Sequence, residues 1–283
     1  MKRFNKIRRK TSKKFNRFKE ERVVTSEDEL IETFHSYTYR KVLFIILCIV
    51  IMFVVIGFAV TIGSYPISFW ETYEAIWYYL IDDIQDKTVN HVVINLRLPR
   101  IVEGIFAGAG LAVAGAVMQS VMKNPLADPY TTGISSGASL GATLAMISGI
   151  SIVQGQYAIV VNAFVFSLIP AAVIIVVSKL KGASPVTMIL SGLAIMYFFN
   201  AITTTLMLYA DPDDTAAVYA WQVGTLSTAS WDEIPLMAAV VIIGTIVLCF
   251  LSSRINILAS GDEGATTLGI NAGHLRIICI IIV

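Results

Sequence analysis

The chain has 283 residues, 56% of them hydrophobic and 14% charged, with a formal net charge of +1. A soluble domain carries about 25% charged residues. This composition, with several long apolar runs, therefore excludes a soluble enzyme built on one large core and predicts an all-α polytopic membrane protein.

Charge is unevenly placed, since 13 of the 21 Lys and Arg precede Val42. Residues 1–41 read as a basic N-terminal extension, in which Ser26 and Glu29 fit a capping box. A cleaved signal peptide is not expected, because the leading segment is too long and the apolar run 42–62 exceeds an h-region. That run reads as a retained first membrane helix, with the basic tail on the cytoplasmic side. There the tail gains attraction to anionic lipid, about 1 kcal/mol per basic residue, and no nucleic-acid partner is expected.

Residues 63–95 read as an outer segment. Trp70, Tyr73, Trp77, Tyr78 and Tyr79 precede Asp82, Asp83 and Asp86, a pattern suited to a short interfacial helix. Arg97 and Arg100 follow around Pro99 on the same outer side, against the positive-inside tendency. Snorkelling at a helix end is one account of them.

Two apolar segments come next, 101–122 and 130–150, each long enough to cross a bilayer core. Gly104 and Gly108 sit four apart, as do Gly133, Gly137 and Gly141, a spacing that lets neighbouring backbones approach closely. Between the segments, Pro125 stops one helix and keeps Asn124 out of helical geometry. Asp128 then Pro129 start the next as N-cap and first-turn proline.

A short outer loop, 151–156, leads to a fourth helix, 157–178, in which Pro170 predicts a kink. Lys179 and Lys181 mark the inner side. Ser184 and Pro185 start a fifth helix that runs to 209. It carries Ser191, Asn200, Thr203, Thr204 and Thr205, which suit either a polar path or interhelical hydrogen bonds. Residues 211–235 return to the outside, and a sixth helix covers 234–251, with Arg254 at the inner face.

In the stretch 253–276, Ser260 and Glu263 fit a capping box around Gly261 and Asp262. The short helix they start ends near Gly269 in a left-handed cap, and a second short helix starts at Asn271. The two make a compact knob outside the bilayer. Residues 277–283 open a seventh helix, and seven residues span only about 10 Å of a core about 30 Å thick. On this reading the chain looks like a fragment or a truncated product.

The ordered pieces RLPR (97–100), GAGLAVAGAVMQ (108–119), NPLADPYTTGISSGASLGA (124–142), WQVGTLSTASW (221–231) and GDEGATTLGI (261–270) resemble the FecCD-type permease subunit of ATP-binding-cassette importers for iron–siderophores, haem and cobalamin. The one departure in the last piece is Gly264, where alanine is usual in the family. The resemblance implies a ten-helix permease fold, of which this chain holds six complete membrane helices and the start of a seventh. Residues 42–283 then form an incomplete transmembrane domain.

The resemblance also implies partners: a second permease copy or paired permease, cytoplasmic ATP-binding subunits, and a substrate-binding (lipo)protein outside a bacterial cell membrane. Arg97 and Arg100 would pair with acidic residues of the binding protein. The loop 253–276 would fit a cleft on the ATPase, through Ser260, Gly261, Asp262, Glu263, Leu268, Gly269 and Ile270. Ser191, Asn200, Thr203 and Thr204 would face the translocation path, because the family places its fifth helix at the pore. The expected substrate is an iron chelate (siderophore or haem), with cobalamin as the alternative.

An ion-coupled secondary transporter is a weaker reading. It would need paired intramembrane acids, and only Glu103 lies within an apolar run. Neither a GxxxxGK[ST] loop nor an intramembrane catalytic motif is present, so a transport subunit and not an enzyme is expected. Cys48, Cys249 and Cys279 and the three scattered histidines show no ligand spacing, so neither a resident metal nor a cofactor is expected.

Overall fold

The computed structural model describes residues 27–63, 65–81, 86–155 and 157–283. Most of the basic extension, the Ser26–Glu29 pair, Asp82 and Asp83 lie outside the described residues or have undescribed side chains. Every regular element among the described residues is helical. The chain divides into two compact units, Met1–Glu74 and Ala75–Val283.

The first unit is dominated by α1, Glu27–Thr61. Its membrane-length apolar part covers Phe34–Thr61. The helix thus begins well before residue 42, and part of the expected extension continues it. α2, Phe69–Leu80, is the expected aromatic helix of the outer segment. Ser68 and Glu71 start it with a reciprocal capping box: the Ser68 N–H donates to Glu71 Oε2 at 2.7 Å, and the Glu71 N–H donates to Ser68 Oγ at 3.3 Å. Within this unit, Gly57 of α1 lies under aromatic rings, and a Cβ there would stand 2.5 Å from Phe69 Cε2.

The second unit takes in the last residues of α2, from Ala75, and then α3, one continuous helix over Lys87–Met122. The expected start near 101 falls short because Asp86 caps the helix earlier, accepting from the Thr88 and Val89 N–H groups. The chain is π-helical over His91–Arg97. Pro99 lacks an N–H and crowds the preceding turn, which widens the helix ahead of it.

α3 ends at Lys123, which sits in the left-handed region at φ 51°. The turn then forms as expected. Asn124 Oδ1 accepts from the Leu126 N–H at 3.0 Å, and Asp128 Oδ1 accepts from the Thr131 N–H at 2.8 Å. Asp128 caps a 3-10 turn over Pro129–Thr132. Gly133 then breaks the chain direction at φ 78° before α4, Ile134–Ser148.

That break makes α4 shorter than expected. Its 15 residues span about 22 Å, less than the core thickness. Five other helices of the described chain are long and apolar enough to cross a membrane. They are α1, α3, α5 (Ala158–Lys181), α6 (Pro185–Leu208) and α8 (Ile234–Ser260).

α4 and α5 form an antiparallel pair at backbone contact. A Cβ on Gly137 would stand 2.6 Å from the Phe166 carbonyl oxygen, and one on Gly141 would stand 2.4 Å from that of Asn162. Phe166 is four residues before Pro170, so its carbonyl has lost its helical donor, and the bare face of Gly137 packs there. α5 runs through Pro170 as one helix.

Asn162 is buried. Its Nδ2 donates to the Gly141 and Ile150 carbonyls, and its Oδ1 accepts from the Ile152 N–H, which satisfies the end of α4. The α3 glycines behave differently. Gly104 meets only Leu226, and Gly108 meets nothing within 4 Å, so that pair makes no close backbone approach among the described residues.

α7, Pro212–Val223, precedes the turn that leads into α8. α8 packs along α3 in the same direction, from Gly110 against Val241 to a shared core containing Val117, Val121, Leu248, Ile255 and Leu258. α8 continues nine residues past the expected end at 251, to Ser260. Two short helices follow, α9 (Asp262–Thr267) and α10 (Ala272–Ile282).

Candidate functional site

The expected loop folds as a knob on the end of α3 and α8. Ser260 does not cap α9. It is the last residue of α8, and its hydroxyl donates to the Asn256 carbonyl at 3.3 Å. Gly261 at φ 147° occupies the N-cap position without a side-chain bond. The end of α9 matches expectation: Gly269 is left-handed at φ 77°, its N–H donates to the Thr266 carbonyl, and the Ile270 N–H reaches back to Ala265. This is the paired bonding of a glycine-terminated helix. Asn271 caps α10, accepting from the His274 N–H at 3.0 Å.

The knob has distinct inner and outer faces. Ala265 and Leu275 are buried in the α3–α8 core, and Ile270 packs against it. Glu263, Thr266 and Thr267 are exposed, and Leu268 is 67% exposed. An isolated large apolar side chain at the crest of a short turn is a natural contact point.

Asp262 is engaged within the chain. Arg276, 1% exposed, donates Nη1 to Asp262 Oδ2 at 2.9 Å and Nη2 to Oδ1 at 2.7 Å. Its Nε also donates to the Val121 carbonyl at 3.1 Å, and its Nη1 to the Ala183 carbonyl at 3.0 Å. Lys123 completes the cluster with a salt bridge to Asp262 Oδ1. The hydrogen bonds from Arg276 and then from Lys123 hold the Asp262 carboxyl well below the usual carboxylate range. The sequence reading missed Arg276 and Lys123. The available signal was an arginine opening an apolar run, a position that demands an internal anion.

The opposite end of the unit carries the RLPR arginines. Arg97 is buried. Arg100 is exposed, and its Nη2 donates to the Ser227 carbonyl at 3.0 Å. Trp231 Nε1 donates to the Ile94 carbonyl at 2.8 Å, in the π-helical stretch of α3. The 221–231 motif is therefore latched onto the start of α3 by two bonds.

The polar residues of α6 divide between faces. Thr203 is buried. Ser191 is half-buried, with its hydroxyl on the Thr187 carbonyl. Asn200 and Thr204, one turn apart, are exposed together.

Residues 46–283 match the model of the FecCD transport family. A chain named as an ABC transporter permease in Methanocaldococcus jannaschii is 36% identical over 259 residues, covering 88% of this chain and 73% of that one. The Fe(3+)-citrate import system permease YfmD of Bacillus subtilis is 30% identical over 246 residues, covering 86% and 70%. The cobalamin import permease of Halobacterium salinarum is 34% identical over 192 residues, covering 67% and 51%. A solved inward-facing conformation of a metal-chelate type ABC transporter superposes with a TM-score of 0.71 at 26% identity, covering 86% of this chain and 72% of that one. The chain belongs to the FecCD transport family, as a multi-pass permease of ABC importers.

Proposed function

We propose that this permease passes an intact iron chelate, a siderophore or haem, into the cytoplasm, driven by separate ATPase subunits that dock on the knob. The observation that carries the reading is the knob itself. It is anchored by Ala265, Leu275 and Arg276, and its crest presents Leu268 away from the core. Leu268 and Glu263 are the assigned ATPase contacts. Gly261, Gly269 and Ile270 set their position, and Ser260 ends the helix beneath them.

Arg100 presents the charge for a substrate-binding protein at the other end, where an exposed guanidinium suits reversible pairing with carboxylates. Arg97, being buried, supports that surface from below. The exposed Asn200 and Thr204 of α6 are assigned to the path, formed with a second permease copy. The knob end carries Lys123, Lys179, Lys181 and Arg276, which favours a cytoplasmic knob and N-terminus. The iron-chelate assignment draws on the iron-citrate relative. The cobalamin relative makes cobalamin the competing cargo.

Affinity purification in mild detergent tests the reading. Wild-type permease is expected to bring down its ATPase subunit, and Leu268→Asp to lose at least about nine-tenths of it. Recovery of the permease without an ATPase would reject the assignment. Uptake of radiolabelled ferric citrate and of cyanocobalamin by expressing and deleted cells then separates the two cargoes.

A further inference from the structure

We infer that Asp262 is a positioning residue that tethers the knob to the membrane helices through Arg276 and Lys123, rather than a contact for the ATPase. The inference rests on the reading of the knob as the ATPase-binding element. Four parts of the chain meet at one carboxylate and one guanidinium. Asp262 opens α9, and Arg276 lies in the second turn of α10. The Val121 carbonyl and Lys123 belong to the end of α3, and the Ala183 carbonyl belongs to the connection between α5 and α6.

The geometry is bidentate on the Arg276–Asp262 pair, which fixes direction as well as distance. Arg276 is buried, so its charge depends on these acceptors. Apolar packing under the knob fixes its distance from α3 and α8, but it slides easily. The charged cluster resists sliding, because any shift separates an ion pair or strips a carbonyl of its donor. A push on the Leu268 crest is therefore passed to the end of α3 and to the α5–α6 connection together. Those are the two places, besides the knob itself, where the described chain reverses between helices on that side. Without the tether the knob pivots on its apolar base and the push is lost locally.

The permease is purified with its ATPase subunit, reconstituted in liposomes, and followed by hydrogen exchange with and without ATP plus vanadate. In the wild type, nucleotide is expected to change exchange at 262–271, at 117–123 and at 183–188. Asp262→Asn keeps a similar volume and one acceptor. It is expected to retain the ATPase and the response at 262–271, while the responses at 117–123 and 183–188 fall more than about threefold. Unchanged responses at those two segments would overturn the tether. So would loss of the ATPase from Asp262→Asn to the extent seen for Leu268→Asp, since Asp262 would then be a docking contact. If the wild type binds no ATPase, the underlying reading fails instead. Should Asp262→Asn not accumulate, Lys123→Gln, which leaves the Arg276–Asp262 pair in place, carries the test. A partial fall at 117–123 supports the tether, and no fall rejects it.

Discussion

At the scale of single residues, the charged cluster is asymmetric. The Arg276 side chain is 1% exposed, whereas that of Asp262 keeps 46%. Removing the carboxylate strands a buried guanidinium, and breaking a buried pair this way costs about 3–5 kcal/mol. Asp262→Ala is therefore expected to lose about 3 kcal/mol, and Lys123→Ala, which removes only a partly exposed partner, less than about 1 kcal/mol. Thermal unfolding of the detergent-solubilised protein measures both.

The pH dependence has a definite sign. The carboxyl is depressed in the folded chain by Arg276 and then Lys123. Its stabilising contribution is present above the unfolded value of about 3.9, and is lost as pH falls below that toward the folded value. Hydrogen exchange at 262–271 should consequently be protected equally at pH 8 and pH 5, once corrected for intrinsic exchange rates. A loss of protection between those values would show that the ion pair does not hold the knob.

At the scale of elements, glycine separates packing from permissiveness. A Cβ on Gly141 would meet the Asn162 backbone at 2.4 Å, whereas one on Gly115 or Gly264 meets nothing within 4 Å. Gly141→Ala is expected to destabilise by about 1–3 kcal/mol, because α4 and α5 must separate to admit the methyl group. Gly264→Ala should instead stabilise α9 by up to about 1 kcal/mol. Thermal midpoints of the two variants should move in opposite directions. The same contrast shows what was legible in the sequence. The spacing of Gly133, Gly137 and Gly141 predicted a close backbone approach, and α4 makes one. Gly104 and Gly108 share that spacing but meet no backbone among the described residues, because spacing names a face but not what covers it. Local chemistry was readable at Asn124, Asp128, Gly269 and Asn271, where a side chain or a positive φ satisfies neighbouring backbone groups. Ser260 misled because an S-x-x-E pattern does not reveal that α8 runs on through the serine. The Arg276–Asp262 pair was legible only in part: an arginine opening an apolar run calls for an anion, but which carboxylate answers it, and the Val121 and Ala183 carbonyls that complete the cluster, are set by packing between distant parts of the chain.

At the scale of the whole molecule, the bonds of Arg276 decide how Ala75–Val283 is threaded. They hold the end of α3 and the connection after α5 at one end, so α5 runs toward that end and starts at the other. The chain between Lys123 and Ala158 must therefore change ends, although α4 alone is about 8 Å short of a core about 30 Å thick. The turns and loop flanking α4 cover the remainder, and Asp128 and Asn162 satisfy backbone groups on either side of the helix. Charge then orients the threaded chain. Lys123, Lys179, Lys181 and Arg276 share the knob end, and the proposed orientation, argued from the positive-inside tendency, has that end in the cytoplasm. This is testable with single cysteines in a background where the exposed Cys48 and Cys249 are replaced by alanine and the buried Cys279 is left. In bacterial spheroplasts, a membrane-impermeant maleimide should label Thr228→Cys, in the exposed turn before α8, without treatment. It should label Leu268→Cys only after permeabilisation. The reverse pattern would invert the molecule, put the Leu268 crest beyond the reach of any cytoplasmic ATPase, and remove the physical basis for coupling through the knob.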